Sequence, residues 1–456
     1  MRLSVAGGLM DDVPAVVDSL RRYARPPSPL AGRLSVQSLL FAVGDGTFIT
    51  VGAVFFTQIV GLSAAQVGVG ITVAGVVSMI VAVPAGKLAD RIGPQRMWAL
   101  GALGTASMYA VWPFIEGFAA FLVMSVVIEV VNSSGGAGRG AYVLDILPQA
   151  ERVSSQAYMY SVLNLGFTLG ASLGGLALLF DDDVVRALPW LVAVLALVNA
   201  YWITRLPAAP HRSGPPVEEP PDAASAEVPD AVAVELAVEG AVEDAAGERV
   251  VPGALRNRGF LSASFFGGVL NTNQVLLQIV IPLWLVEETD APRVLLAWLF
   301  GTNTVMCIFL PMLASRGVRD VPTALRAARI SSVFFVVSCL ITLITHDTLG
   351  WTTILLVWAG HVTVTGAELY LSAASWALEA GLSDPDKRGE YQGAGNLGSS
   401  LGYVWAPAAY TFLAMEWGAE GWLVIAGIVV LATVGLHPAA RAGQRFLDRY
   451  DLDPTR

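Results

Sequence analysis

The chain has 456 residues, 55% of them hydrophobic and 14% charged, with a net charge of −10. An ordinary soluble domain carries about 25% charged residues, so this much apolar surface needs lipid as its solvent. Only two cysteines are present, Cys307 and Cys339, both inside apolar stretches, which argues against a disulfide framework or a metal cluster.

Residues 1–33 hold Asp11, Asp12 and five arginines without a secretory h-region, and are expected to be a cytoplasmic N-terminal segment. Twelve stretches long enough to cross a bilayer follow: 34–60, 66–85, 97–115, 118–143, 154–180, 187–205, 258–286, 294–315, 324–346, 350–378, 393–415 and 420–438. They are expected to be helices, because open backbone in lipid leaves its polar groups unpaired. The alternating ten-residue segments of an outer-membrane barrel are missing from the sequence. Between Leu206 and Ala254 lie ten acids and two arginines among many Pro and Ala residues, so most of the net charge belongs to one acidic segment. Such a composition predicts a self-repelling cytoplasmic linker, 206–257. It divides the chain into a six-helix bundle at 34–205 and another at 258–438, with a cytoplasmic tail at 439–456. With both ends inside, only Arg186 and Arg293 of the 27 basic residues fall in external loops, as the positive-inside rule requires.

The turn after the second span reads Gly86-Lys87-Leu88-Ala89-Asp90-Arg91-Ile92-Gly93-Pro94-Gln95-Arg96. Its Gly-x-Leu-Ala-Asp-Arg-x-Gly core resembles the loop between helices 2 and 3 of the major facilitator superfamily. Arg139 to Pro148 resembles the Arg-x-x-x-x-x-Asp-x-x-Pro ending of helix 4 in that family, through Arg139, Asp145 and Pro148. Gly166 to Gly175 is similar to the helix 5 pattern of its proton-driven antiporters, with Ala171 where that pattern has proline. A shift of 236 residues superposes Arg152 on Arg388, Gln156 on Gln392 and Gly166 on Gly402, as a duplicated bundle would. The second copy of the loop, Ala314 to Asp320, keeps only glycine and charge. The resemblance runs from Leu34 to about Ala440. It implies an all-α membrane fold of twelve helices in two bundles. It also implies a conformational latch built from Gly86, Asp90, Gly93 and Asp145, with Asp90 meeting the start of helix 11 near Gln392 to Gly395. Pro94 stands where the family has a base, so Arg91 or Arg96 is expected to supply the pairing charge.

Charges inside spans are costly and usually face protein or water. In the family picture helices 1, 4, 7 and 10 line the cavity, and the polar residues concentrate there. The candidates for proton coupling are Asp45, Glu129, Arg139, His361 and Glu368. Those for the substrate cavity are Asn132, Asn271, Asn273, Gln274, Gln278 and Thr365. Asp45 lies about twelve residues, roughly 18 Å, from its cytoplasmic end, and Glu129 about eleven, roughly 16 Å, from its outer end. Both are near the midplane of a core about 30 Å thick, where a carboxyl can load a proton from one side and release it to the other.

The expected activity is export of small amphipathic molecules, a drug or secondary metabolite, by proton antiport and alternating access. Uptake by a symporter or facilitator is the alternative, and a non-transporting receptor a third reading. The expected setting is the bacterial cytoplasmic membrane, crossed many times by a monomer. Its partners are lipid, a small-molecule substrate and protons, with no nucleic acid. No cofactor or metal is expected beyond the proton gradient, and no enzymatic activity. The sequence has no nucleotide-binding loop, which argues against an ATP-driven pump.

Overall fold

The computed structural model describes residues 25–208, 252–292 and 294–450. Most of the expected N-terminal segment, the centre of the acidic linker, Arg293 and the last six residues lie outside the described residues.

The Ser28 hydroxyl accepts the Ala31 amide at 3.2 Å and Pro29 opens the first helix, α1 (Pro29–Val54), which ends in a π-helical turn over Phe55–Ile59. Ser63 and Gln66 form a capping box for α2 (Ala64–Ile92). Gly93, at φ +97°, makes the turn that Pro94 converts into α3 (Pro94–Val111). Then come α4 (Gly117–Ile146), α5 (Gln149–Ala177) and α6 (Asp182–Thr204).

In the second half, α7 is interrupted. It runs over Arg258–Leu270, turns at Asn271 and Thr272, and resumes through Asn273–Val275, a π-helical segment Leu276–Val280 and Ile281–Glu287. The chain continues with α8 (Leu295–Phe309, then Pro311–Ala314), α9 (Val321–Ile344) and α10 (Trp351–Gly381). It closes with α11 (Arg388–Tyr403, then Ala406–Trp417) and α12 (Ala419–Arg449). No strand occurs among the described residues.

Eight of these helical runs are long and apolar enough to cross a membrane: α1, α2, α4, α6, α7, α9, α10 and α12. Large apolar side chains stand outward on them, among them Ile71, Ile80, Val333, Leu431 and Val434. The runs that fall short include α5 and α11, which are rich in Gly, Ser, Asn and Gln. These two helices make much of the contact between halves, so they face protein more than lipid.

Within the first half α1 packs on α5 and α6, α3 on α4 and α6, and α2 on α4. Within the second, α7 packs on α11 and α12, and α9 on α10 and α12. Across the halves α2 and α4 meet α11, while α5 meets α8 and α10. The α1–α5 seam shows what the glycines of the helix 5 pattern do. A Cβ on Gly170 would fall on the Val43 carbonyl and 2.8 Å from the Thr47 amide, so the two backbones touch. Gly175, five residues on, faces open space. Gly170→Ala should therefore cost about 1–3 kcal/mol, as overpacking does, and lower the unfolding temperature in detergent, whereas Gly175→Ala should be neutral. Equal shifts for the two variants would show that this seam is not backbone contact.

Candidate functional site

Three groups of polar residues stand out, two of them between the halves. The first is at the α2–α3 turn. The Asp90 carboxylate accepts the Gly389 amide at 2.7 Å on Oδ1 and the Glu390 amide at 2.8 Å on Oδ2. These are free N–H groups in the first turn of α11, where an anion is favoured. The approach depends on Gly86, because a Cβ there would fall on the Gly389 carbonyl. Lys87 lies 3.6 Å from Glu390, whose carboxylate also accepts the Ala254 amide at 3.0 Å.

One helix over, Asp145 pairs with Arg388 at 2.9 Å. Thus the base expected from Arg91 or Arg96 comes from the opposite half. Both of those arginines are exposed and neither enters an ion pair among the described residues. Asp90 also meets α11 one turn earlier than expected, since that helix begins at Arg388. Arg152, buried beside Arg388 and Asp145, donates to the Leu144 and Leu147 carbonyls at 2.9 and 3.3 Å. In the adjoining α10–α11 loop, burial raises the Asp384 carboxyl above its ordinary range, opposed by a hydrogen bond from the Asp386 amide.

A second junction joins α5 to α8 and α10. Tyr160 donates to Glu368 Oε1 at 2.6 Å, and Asn303 Nδ2 donates to Oε2 at 3.1 Å and to Thr365 at 3.2 Å. Glu368 is 7% exposed. Cys307 packs against the same group within an apolar patch containing Leu369 and Ala314. With the α2–α11 contact, this junction joins the two halves.

The third group surrounds a cavity of about 300 Å³ inside the first half. It is walled by α1, α3, α4 and α6, with Leu163 from α5. Asp45, Asn132 and Arg139 line it, together with Gln37, Thr105, Tyr109 and Asn199. Glu129 does not line the cavity but is an electrostatic neighbour of Asp45 and of Tyr109. Thr105 donates to Asn132 at 2.8 Å. Arg139 donates to Ser38 at 3.3 Å and faces Glu379 of α10, which takes a hydrogen bond from Gln392.

The polar set of α7 is divided among different surroundings. Asn271 lines a smaller cavity of about 170 Å³ with Glu379, Asn396 and Ser399. Asn273 is fully buried, and its amide has no hydrogen-bond partner among the described residues. Gln278 donates to Gln274 at 3.0 Å. His361 is buried beside the Leu299 backbone, and its carbonyl accepts the Thr365 hydroxyl at 2.9 Å.

Reading the sequence missed Gln37, Tyr160, Asn199, Asn303, Glu379 and Arg388 as site residues. For all but Arg388 the available signal was a polar residue in or at the end of an apolar run. For Arg388 it was the repeat that aligns it with Arg152.

Helices paired in two halves, joined by α2–α11 and α5–α8 contacts around buried polar groups, make the architecture of a multi-pass membrane protein. Residues 34–407 match the Major Facilitator Superfamily family model, and the chain belongs to that family. It is 28% identical over 199 residues to the bovine (Bos taurus) major facilitator superfamily domain-containing protein 10, covering 42% of this chain and 39% of that protein. It is 23% identical over 176 residues to an uncharacterized MFS-type transporter, YdeE, of Escherichia coli strain K12, covering 38% and 44%. The matched stretches thus span less than half of either relative.

Among solved structures the fold is similar to the human organic anion transporter MFSD10, with TM-score 0.60 and 18% identity over 90% of this chain and all of that one. It is similar to a bacterial homologue of the iron transporter ferroportin in an outward-facing state, with TM-score 0.65 and 15% identity over 91% and 100%. A proton:xylose symporter superposes with TM-score 0.61 and 12% identity over 89% and 94%. At such identities the likeness concerns fold.

Proposed function

We propose that this family member is a proton-driven exporter of small amphipathic organic molecules. It crosses the bacterial cytoplasmic membrane twelve times, with both termini inside, as a monomer without cofactor. Residues 34–205 and 258–438 are its two moving halves, and the α2–α3 turn with Asp145 is the cytoplasmic latch between them. The observation that carries the reading is the first-half cavity, walled largely by apolar and aromatic side chains and holding Asp45 next to Glu129. A proton carried on a carboxyl in this cavity is displaced when a substrate cation arrives beside it, which is antiport.

The human relative of similar fold carries organic anions, and an anion here would use Arg139. That guanidinium is already engaged by Ser38 and faces Glu379, which favours neutral or cationic cargo. Substrate added to de-energised vesicles should move protons, and Asp45→Asn or Glu129→Gln should reduce that movement by tenfold or more, about 1.4 kcal/mol of coupling. Undiminished proton movement in both variants would overturn the assignment.

A further inference from the structure

The last helix outlasts its apolar stretch. That stretch ends at Leu436, whereas α12 runs on to Arg449, roughly 20 Å further along the axis. One side of the extension, with Ala440, Gly443 and Leu447, is buried in the second half. The other side carries Arg441, Arg445 and Arg449, four residues apart and all exposed. At the start of α7, a Cβ on Gly259 would fall on the backbone of Ala442 and Gly443. This contact brings Arg256 and Arg258, both exposed, to the same face. None of the five arginines enters an ion pair among the described residues. The exposed acids beside them are Asp448 and, in the α10–α11 loop whose Leu382 faces Gly443, Asp386. Five bases against two acids leave the face strongly positive.

Like charges four residues apart destabilise a helix, so the row calls for an anion. The helix C-terminus favours cations only within its last turn, which covers Arg449 but not Arg441 or Arg445. Lipid headgroups form a layer about 5–8 Å deep on each side of the hydrocarbon. Arg441 lies roughly 8 Å beyond Leu436, but Arg445 and Arg449 lie roughly 14 and 20 Å beyond it, outside that layer. The six residues after Tyr450 bring only two acids and an arginine. The segment between the halves brings ten acids and two arginines, and it leads into this face at Pro252, four residues before Arg256. We propose that residues 209–251 dock on the arginine face of the second half, with Glu243, Asp244 and Glu248 against Arg441, Arg445 and Arg449. Those acids precede Pro252 by nine, eight and four residues, a reach of at most about 14–32 Å. The arginine row is roughly 12 Å long, so all three acids can meet it. Because the segment is tethered, its effective concentration is about millimolar, and individually weak surface pairs suffice. Docked, it neutralises a face that would otherwise attract polyanions. The inference concerns this chain's own surface and is independent of cargo and proton drive.

The test uses the full chain in neutral detergent, with Cys307 and Cys339 changed to alanine and spin labels at Ala246 and at exposed Arg319. Distances between the labels are read by electron–electron double resonance. The distribution should be narrow at about 0.1 M salt and about twofold wider at about 1 M, where the Debye length falls from about 10 to about 3 Å. Screening of the segment's own repulsion would instead compact it, so widening reports release. Changing Arg441, Arg445 and Arg449 together to Glu should give the wide distribution at low salt. Adding Glu243→Arg, Asp244→Arg and Glu248→Arg should narrow it again. Equal widths at the two salt concentrations, or a charge exchange without effect, would overturn the proposal. The salt series alters nothing on the face, so it decides even where a variant fails to fold. The same labels are then read in phosphatidylcholine nanodiscs with and without phosphatidylglycerol. Equal distributions are expected, and widening with phosphatidylglycerol would assign the face to anionic lipid and overturn the docking.

Discussion

Gly86→Ala should open the protein on the side of the α2–α3 turn. The added methyl has nowhere to go: its position coincides with the Gly389 carbonyl and lies 3.0 Å from the Glu390 amide. Both are main-chain atoms of α11, held in turn by the Asp90 carboxylate. A side chain can rotate away from such a clash, but here the helices themselves have to separate. Overpacking of this kind costs about 1–3 kcal/mol, which lowers the ratio of closed to open arrangements roughly 5- to 150-fold. Separation also lengthens both Asp90 hydrogen bonds, so the penalty and the lost bonds act in the same direction. Spin labels at Arg91 in the first half and Arg441 in the second, both exposed, report the change as a distance distribution. A shift to longer distances is expected. An unchanged distribution would mean that the α2–α11 contact does not govern the closed arrangement.

The parts of the fold that were legible in the sequence are those that face lipid. Runs such as α2, α9 and α12 follow from apolar length alone, since a bilayer imposes one requirement along the whole helix. Helices that face protein escape that requirement. α11 reads Arg-Gly-Glu-Tyr-Gln-Gly-Ala-Gly-Asn at its start, and apolar periodicity begins only later, so the sequence predicts a loop over its first turn. The same error moved the expected partner of Asp90 one turn along. The break in α7 left no plain mark either, because Asn271 to Gln274 reads equally well as one polar helix face or as a turn. Neighbours far apart in the chain were out of reach for a different reason. Tyr160 and Glu368 are 208 residues apart, and nothing local to either residue indicates the other. Asp45 and Asn132 were legible as polar residues in membrane helices, yet only the packing of α3 and α6 shows that they share a cavity with Gln37 and Asn199.

Where α4 meets α11, Asp145→Asn should do more damage than Arg388→Gln, although the two residues form one ion pair. The reason is Arg152. It is buried in the same cluster, attracted by Asp145 and repelled by Arg388. Removing Arg388 leaves one acid beside one base, a pair that still compensates itself. Removing the Asp145 charge leaves two buried guanidinium groups facing each other without the acid between them, one of them donating to the carbonyls of Leu144 and Leu147. Breaking a fully buried ion pair costs about 3–5 kcal/mol, and Asp145 is 21% exposed, so about 2–3 kcal/mol is the reasonable scale for the acid. Arg388→Gln should cost about 1 kcal/mol less, since its amide can still donate to Asp145. Adding Arg388→Gln to Asp145→Asn should then recover part of the loss, a coupling of about 0.5–3 kcal/mol between the two sites. Unfolding temperatures of the wild type, the two single variants and the double variant in one detergent measure all of this. Greater damage from Arg388→Gln, or a double variant no better than Asp145→Asn, would show that Arg152 is held by its carbonyls alone. Asp145 and Arg388 would then be a simple pair across the halves, not an acid shared between two bases.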